Sequence, residues 1–443
     1  MAAKIAVGLA VIPVVILAHK AGPDPRRTGA PGDKTCVDSG CHVGPVNRAG
    51  GSVVLSTPTG TTYTPGGPAQ TITITITDPK ATFFGFQLTA RQDSSPEFTA
   101  AGDFQTVGTQ QIIICDDAGI EPSKGCLIGQ SDNVEFIEHS FPYPKGTITV
   151  SWTPPATNVG TVTLYVAANA ATQDVVSTGS HVYMTQLTLC PVLSSGQAMP
   201  SIKSGGVQSA GGFSAKAGVA PGTWLEIFGG DFAAAACLWQ GADFNGTTAP
   251  TSLGGVSVNI GGTNAFIDYV SAGQVNVQVP SGIPIGDSVP LVLSNAAGSS
   301  APYVLKTADM APALLAPAQA PFLVNGKQYV VAQLLDQSFV GIPSRPAKPG
   351  DLLTIYGIGF GPVTPVTAPG DIATQATNLD TNATFLFGQT RADVPYQGLA
   401  PSFVGLYQFN VKVPDNVAVG DSPLTVQLGA IKANQNLFVN IGH

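Results

Sequence analysis

The sequence predicts an all-β protein, in which one β-sandwich domain is followed by two further β-sandwich modules of immunoglobulin-like type. Short runs alternate between apolar and polar residues, most clearly TITITIT at 71–77, which is the period of a half-buried strand. The chain holds 52 glycines and 36 prolines, which favour turns between short strands. Two segments of the second half also repeat each other, which indicates duplicated modules.

The chain begins with an apolar leader that indicates export. Lys4 precedes an apolar run from Ile5 to Ala18, which is too short to span a bilayer and suits the core of a signal peptide. We expect residues 1–18 to be the signal peptide, with His19 at the mature N-terminus. The mature protein is expected to be secreted through the periplasm, to be extracellular or at the cell surface, and to have no transmembrane segment. A net charge of −8 without basic runs argues against nucleic acid as a partner.

The alternating runs divide the rest of the chain. Eight of them lie between residues 51 and 192 and predict the first sandwich. Residues 193–212 lack an apolar pattern and are interpreted as a linker. Beyond it, PGTWLEIFG at 221–229 corresponds to PGDLLTIYG at 349–357, and QVNVQVP at 274–280 corresponds to QFNVKVP at 408–414. These repeats predict one module over 213–308 and a second, preceded by a hairpin, over 309–443.

Two resemblances accompany these patterns. Residues 206–443 resemble the Solibacter-type C-terminal domain of secreted bacterial proteins, through APGTWLEIFG, PTSLGGVSVNIGG, QVNVQVP and RPAKPGDLLTIYGIGFGPV. That resemblance implies a binding or display module without catalytic activity. Residues 27–190 resemble the choice-of-anchor V domain, a relative of reeler sandwiches, through RTGAPGDKTC, GCH, FGFQLTA, IEHS and AANAAT. In that family a C-x-x-C-H haem-attachment signature follows GAPGD, whereas here Cys36 and Cys41-His42 are separated by four residues.

The segment TCVDSGCHVG, at 35–44, is the main candidate site. A c-type haem needs two thiols for its two vinyl groups and a histidine directly after the second cysteine as an iron ligand. Asp38, Ser39 and Gly40 are turn formers that allow the longer spacer to bulge. Residues 19–50 are therefore expected to carry haem c on Cys36, Cys41 and His42. A Cys36–Cys41 disulfide and a zinc site are the alternatives, and zinc would need further ligands.

Electron transfer requires a second axial ligand to the iron. We favour His139, in IEHS, because the resemblance places a Glu-His-Ser or Glu-His-Thr motif there. His181 and Met184 are the other candidates within the sandwich, and His19 is a fourth. His19 at a mature N-terminus would also suit copper, although such a site needs a second histidine.

The remaining cysteines are interpreted as structural. Cys115 and Cys126 enclose a loop rich in turn formers and are expected to form a disulfide. The acidic residues in that loop, Asp116, Asp117 and Glu121, suggest either calcium binding or a solvated loop. Cys190 and Cys237 either pair with each other or stay buried as thiols, and the sequence alone does not choose among the three possible pairings.

The function that these features favour is a secreted c-type cytochrome with one haem, which transfers electrons outside the cell to an unknown redox partner. The rival class is an adhesin or surface scaffold with a Cys36–Cys41 disulfide. No Gly-x-Ser-x-Gly motif is present, so an enzyme is not expected; a haem oxidase or peroxidase would need an open iron position. Charged residues make up only 10% of the chain, which favours self-association into a homo-oligomer or filament over a monomer kept soluble by neutral polar residues.

Overall fold

The computed structural model describes residues 22–38, 42–97, 99–115, 134–172, 180–194, 196–210, 218–341 and 345–443. The chain divides into two compact units, Met1–Leu189 and Cys190–His443. Both are built from antiparallel strands almost throughout, and within the described ranges the helical structure is one 3-10 turn, Gly241–Asp243. The all-β prediction is confirmed. No helix in these ranges is long and apolar enough to cross a membrane.

The first unit is a β-sandwich. Its strands are β1 (Ser52–Ser56), β2 (Thr62–Tyr63), β3 (Gln70–Thr77), β4 (Phe83–Gln92), β5 (Asp103–Gln105), β6 (Gln110–Cys115), β7 (Val134–His139), β8 (Thr147–Thr153), β9 (Val162–Ala171) and β10 (Ser180–Pro191). One sheet has the order β1-β3-β8-β5, and the other has the order β2-β10-β9-β4-β7-β6. In β3 the isoleucines face the core and the threonines face outward, as the alternation predicts.

The six-stranded sheet is buried on both faces along β4. Phe86 and Leu88 belong to the sandwich core, whereas Gln87 and Arg91 point to the opposite face and are nonetheless 1% and 0% exposed. Residues 22–38, which we call the strap, contact this outer face: the Arg27 N–H donates to Gln87 Oε1 at 2.7 Å. The strap thus covers the outer face of the sheet around Gln87 and Arg91 of β4.

The second unit begins with a two-sheet module. Its strands are β11 (Ser201–Ser209), β12 (Trp224–Gly230), β13 (Cys237–Leu238), β14 (Ser252–Leu253), β15 (Val256–Ile260), β16 (Thr263–Asn264), β17 (Phe266–Val270), β18 (Gln274–Gln278), β19 (Gly286–Asn295), β20 (Gly298–Ser299) and β21 (Tyr303–Thr307). One sheet has the order β11-β12-β18-β17-β13, and the other is built around β14-β15-β19-β20. Strand β11 lies inside the segment interpreted as a linker. It is an edge strand with mostly exposed or half-buried side chains, so it lacks the apolar period that predicts a strand.

The second module repeats this plan. Its strands are β22 (Ala313–Leu314), β23 (Leu323–Val324), β24 (Lys327–Tyr329), β25 (Ala332–Gln333), β26 (Leu352–Ile358), β27 (Val363–Thr364), β28 (Asn378–Leu379), β29 (Ala383–Phe387), β30 (Thr390–Arg391), β31 (Asp393–Leu399), β32 (Tyr407–Lys412), β33 (Gly420–Leu428), β34 (Ile431–Lys432) and β35 (Leu437–Ile441). Its two main sheets contain β22-β26-β32-β31 and β23-β24-β35-β33-β29-β30. The repeated segments pair in matching register, since Glu226 opposes Asn276 and Thr354 opposes Asn410.

A buried glutamine joins the two modules of the second unit. Gln278 Nε2 donates to the Gly222 carbonyl at 3.2 Å, and its Oε1 accepts the Gly370 N–H at 2.6 Å. Gly405 lies against this amide with φ 61°, and a Cβ there would overlap Gln278 Nε2, so the contact requires glycine.

One disulfide lies in the second unit. Cys190 and Cys237, whose pairing the sequence leaves open, are bonded with their Cα atoms 6.2 Å apart. The bond closes a loop of 47 residues, which by chain entropy corresponds to about 4 kcal/mol. Cys115 ends β6, but Cys126, Asp116, Asp117 and Glu121 lie outside the described residues, so that predicted disulfide and the calcium interpretation stay predictions.

Candidate functional site

The strap is folded by a turn and an ion-pair network. Thr28 Oγ1 donates to Asp33 Oδ2 at 2.6 Å, which closes the Gly-Ala-Pro-Gly turn between them. Asp33 also accepts from Arg91 at 3.0 Å and from Arg26 at 3.2 Å. The Asp33 and Arg91 side chains are both 0% exposed. A buried charge is tolerated when it is paired and hydrogen-bonded, so this network fixes the strap on β4.

Cys36 follows the turn and packs against the sheet. It is 9% exposed and lies in a cluster with Ala167 and Val182, beside the half-buried Met184. The His42 N–H donates to the Cys36 carbonyl at 3.2 Å, and His42 Nδ1 lies 2.6 Å from Ser180 Oγ. Cys41 lies outside the described residues.

His139 ends β7 in a buried position. Its Nδ1 lies 3.1 Å from both the Phe86 N–H and the Phe86 carbonyl, so the main chain of β4 holds the ring through this nitrogen. The ring covers Gly85, where a Cβ would lie 2.6 Å from Cε1 and 2.8 Å from Nε2. Burial lowers the pKa of His139, because it disfavours the charged ring. If Nδ1 carries the proton and donates to the Phe86 carbonyl, Nε2 keeps the lone pair with which a neutral histidine binds a metal.

The strand register places these residues on one face. Gly85, Asn169 and Val182 are directly opposed on β4, β9 and β10, so their side-chain positions share a face. Cys36 packs on Val182 there, and the His139 ring covers Gly85 there. Ser180, the partner of His42, is on the same face of β10, two residues before Val182. Gly85 and Val182 are separated by two strand spacings, or about 10 Å.

Asn169 marks the middle of this surface, which we call the outer-face site (Gly85, Asn169, Val182 and the rings of His42 and His139). Its Oδ1 is buried and has no hydrogen-bond partner among the residues that the structure describes. A buried amide oxygen without a partner is costly. A polar group bound on this face would supply the missing contact, so the residues present fit a prosthetic group that carries both polar and apolar parts.

The other candidate ligands are placed differently. His181 is next to Ser180 in β10, so its side chain points to the opposite face of the sheet. There His181 Nδ1 contacts Asp78 Oδ2 at 2.7 Å. Met184 is on the outer face, but its methyl group packs on Gly29 of the strap. His19 lies outside the described residues. In the described ranges, which leave out Cys41, no three His, Cys, Asp or Glu side chains are grouped as a metal site.

Several polar residues of this region were missed from the sequence. Asp33 and Arg91 are 58 residues apart in the chain, and only the GAPGD motif signals that the segment with Arg26 and Asp33 is special. Glu138 is fully buried and accepts from Gln87 at 2.7 Å. The sequence shows only a single glutamate in a strand-like run. It does not reveal that the face of the sheet on which this glutamate lies is covered.

A second buried carboxylate lies on the same strand. Glu135 accepts the Phe104 N–H at 3.2 Å, and burial raises the pKa of its carboxyl group to about 7. This value places the titration of Glu135 near neutral pH.

Comparison with known proteins matches residues 42–173 to the Reeler domain family. No curated protein matches. Among solved structures, the human F-spondin reeler domain is 18% identical, with a TM-score of 0.23 over 34% of this chain and 94% of that one. The Reelin-N domain of F-spondin is 18% identical, with a TM-score of 0.22 over 35% and 96% of the chains. A Bacteroides ovatus SGBP-B from a mixed-linkage glucan utilization locus, in complex with a heptasaccharide, is 12% identical, with a TM-score of 0.26 over 88% and 70%.

The structural likenesses are too weak to support an argument about function. The family match agrees with the reeler-like sandwich expected from the sequence. It begins at His42 and therefore includes His139 but neither Cys36 nor Cys41. Residues 42–173 are thus similar to the Reeler domain, and the strap with its cysteine precedes the matched region.

Proposed function

We propose that the protein is a secreted c-type cytochrome that carries one covalently attached haem on the outer-face site and transfers electrons outside the cell. The observation that carries the proposal is the position of His139: its Nδ1 is held by Phe86, and its ring covers Gly85 on the face where Cys36 packs. Cys36 and Cys41 would hold the haem through thioethers, and His42 and His139 would hold its iron.

The bound haem would supply a one-electron redox centre. The protein would contribute oriented ligands: Ser180 holds the partly buried His42, and the Phe86 main chain holds the buried His139. Because two histidines would occupy both axial positions, the arrangement favours electron transfer over an oxidase or peroxidase, which requires an open position.

Absorbance of denatured protein tests the proposal. Wild-type protein from a host with a cytochrome c maturation system should give a haem c pyridine haemochrome spectrum after unfolding, because thioether bonds survive denaturation. The matched control replaces Cys36 and Cys41 with serine and should lose haem on unfolding. A haem-free wild-type protein from such a host would overturn the proposal.

A second candidate function is a surface scaffold or adhesin, and the Reeler match favours it because Reeler domains are non-catalytic extracellular domains. In that case Cys36 and Cys41 would form a small disulfide. Mass spectrometry of peptides from non-reduced protein separates the two functions, because a peptide with Cys36 and Cys41 carries either haem or a disulfide.

A further inference from the structure

A pocket of about 380 Å³ opens at one end of the first unit, separate from the outer-face site. We call it the end pocket. Its polar lining consists of Arg48, Asp78, Lys80, Thr172, His181 and Tyr183, and its small apolar lining includes Ala49, Pro79, Ala81 and Ala170. The volume is within the usual range of small-molecule sites.

The buried carboxylate of this pocket is occupied by protein donors. Asp78 Oδ2 accepts the Tyr183 O–H at 2.8 Å and contacts His181 Nδ1 at 2.7 Å, while Oδ1 accepts the Lys80 N–H at 2.9 Å. Although burial alone would raise the pKa of Asp78, these hydrogen bonds lower it. Burial and Asp78 together raise the pKa of Tyr183 to about 12, so the phenol remains a donor. Asp78 therefore serves to orient its neighbours.

This arrangement fixes the ring of His181. The ionised Asp78 accepts a hydrogen bond from His181 Nδ1, so that nitrogen carries the proton. Nε2 is then the ring nitrogen that can interact with other groups in the pocket. Arg48 Nη1 lies 3.4 Å from His181 Nε2, so the guanidinium and the imidazole lie side by side in the end pocket. The 29% exposure of the His181 side chain leaves it accessible from solvent.

The charge of the end pocket favours an anion. Arg48 and Lys80 are both exposed at the pocket, and among its described lining residues the only acid is Asp78. The whole chain has only 19 lysines and arginines and a net charge of −8. A pocket with two basic side chains beside a histidine is therefore unusual for this chain. A guanidinium binds a planar carboxylate with two parallel hydrogen bonds, which a compact ammonium cannot match.

We propose that the end pocket binds a carboxylate, with Arg48 as its principal partner, Lys80 as a second cation and Asp78 as the residue that orients His181. The carboxylate has two conceivable sources, a free organic acid and the propionate groups of an attached haem. The second source rests on the proposed function, and the first does not.

NMR of the histidine rings tests the proposal on haem-free protein, obtained with serine at Cys36 and Cys41. Benzoate should shift the His181 resonances saturably, whereas the uncharged analogue benzamide should not. Arg48→Ala should weaken benzoate binding at least about tenfold. Lys145→Ala, which removes an exposed lysine outside the pocket, should leave it unchanged. Absence of a saturable His181 shift with benzoate at about 10 mM would overturn the proposal.

Haem-loaded wild-type protein distinguishes the two sources. If benzoate binds haem-free protein but not haem-loaded protein, the propionates are the occupants. Binding to both forms identifies a free acid as the ligand. If the wild-type protein carries no haem at all, the proposed function fails while the benzoate result still decides the carboxylate site.

Discussion

His139 shows how one side chain connects the sheet to the proposed redox site. The sequence motif identifies the residue, but its function depends on a hydrogen bond to Phe86, fifty-three residues earlier in the chain. We expect His139→Ala to convert a low-spin haem into a high-spin species that binds carbon monoxide, because one axial position opens. Optical spectra of the loaded protein measure this change.

The control for that experiment is Met184→Leu, which preserves volume on the same sheet face. Its spectrum should remain low-spin. A low-spin His139→Ala variant together with a high-spin Met184→Leu variant would assign the second ligand to methionine.

Glu135 supplies a prediction about pH. Burial raises its carboxyl pKa to about 7 from the usual 4.5, so between these values the folded protein binds more protons than the unfolded chain. Stability from this group is therefore complete below about pH 4.5 and is lost as the pH rises through 7. Glu135→Gln, which can still accept from Phe104, should flatten the decline between pH 5 and 8. Chemical denaturation at several pH values measures it, and an unchanged slope would contradict the assignment.

At the scale of elements, the sequence patterns predict the strands better than the surfaces that those strands bury. The alternation in β3 identifies its inner and outer faces, because one face of that strand meets solvent. In β4 both faces are covered, so Gln87 and Arg91 look exposed from periodicity although they are buried. Strand β11 escapes detection for the opposite reason, since as an exposed edge it needs little apolar surface.

The candidate haem ligands come from the sequence, and their role stays a prediction. Cys36, His42 and His139 follow from motifs and resemblance, because the chemistry is local to short segments. Their common face depends on the register of β4, β9 and β10, which arises from pairings distant in sequence. Gly85 and Asn169 lie in FGFQLTA and AANAAT, which carry the resemblance, but the sequence assigns them no role until those strands are aligned.

The strap supplies a prediction for an element. Asp33→Asn should destabilise the first unit by about 3–5 kcal/mol, because it removes the charge that Arg26 and Arg91 share in a buried position. Denaturation of the full chain, followed by Trp152 fluorescence in a Trp224→Phe, Trp239→Phe background, reports on the first unit. Asp287→Asn breaks an exposed ion pair with Lys306 and should have little effect. Equal effects of the two substitutions would contradict the role of the network.

For the whole molecule, low charge and an exposed strand edge favour self-association. Strand β1 ends the four-stranded sheet, and Val54 on it is 54% exposed. Natural sheets protect such edges with charges. If copies associate along β1, Val54→Lys should shift the protein towards a monomer in light scattering and remove fibres seen by electron microscopy.

Val107→Lys is the matched control, since Val107 is 45% exposed and lies between strands rather than on that edge. It should leave the assembly unchanged. A wild-type protein that remains a monomer at high concentration would rule out self-association.

If the proposed haem is attached at Cys36, the burial of this residue imposes an order on how the protein is made. In the folded chain the Cys36 side chain points from the strap onto the sheet, against Ala167 and Val182, and Asp33 anchors the strap nearby. An enzyme that forms a bond at the Cys36 sulfur needs to reach it, so the reaction must occur before the strap docks on the sheet. Biogenesis would then be a sequence in which modification comes first and closure of the sandwich face second. A chain that folds before modification could then no longer be modified, because the buried ion pairs that stabilise the folded protein would keep the strap on the sheet.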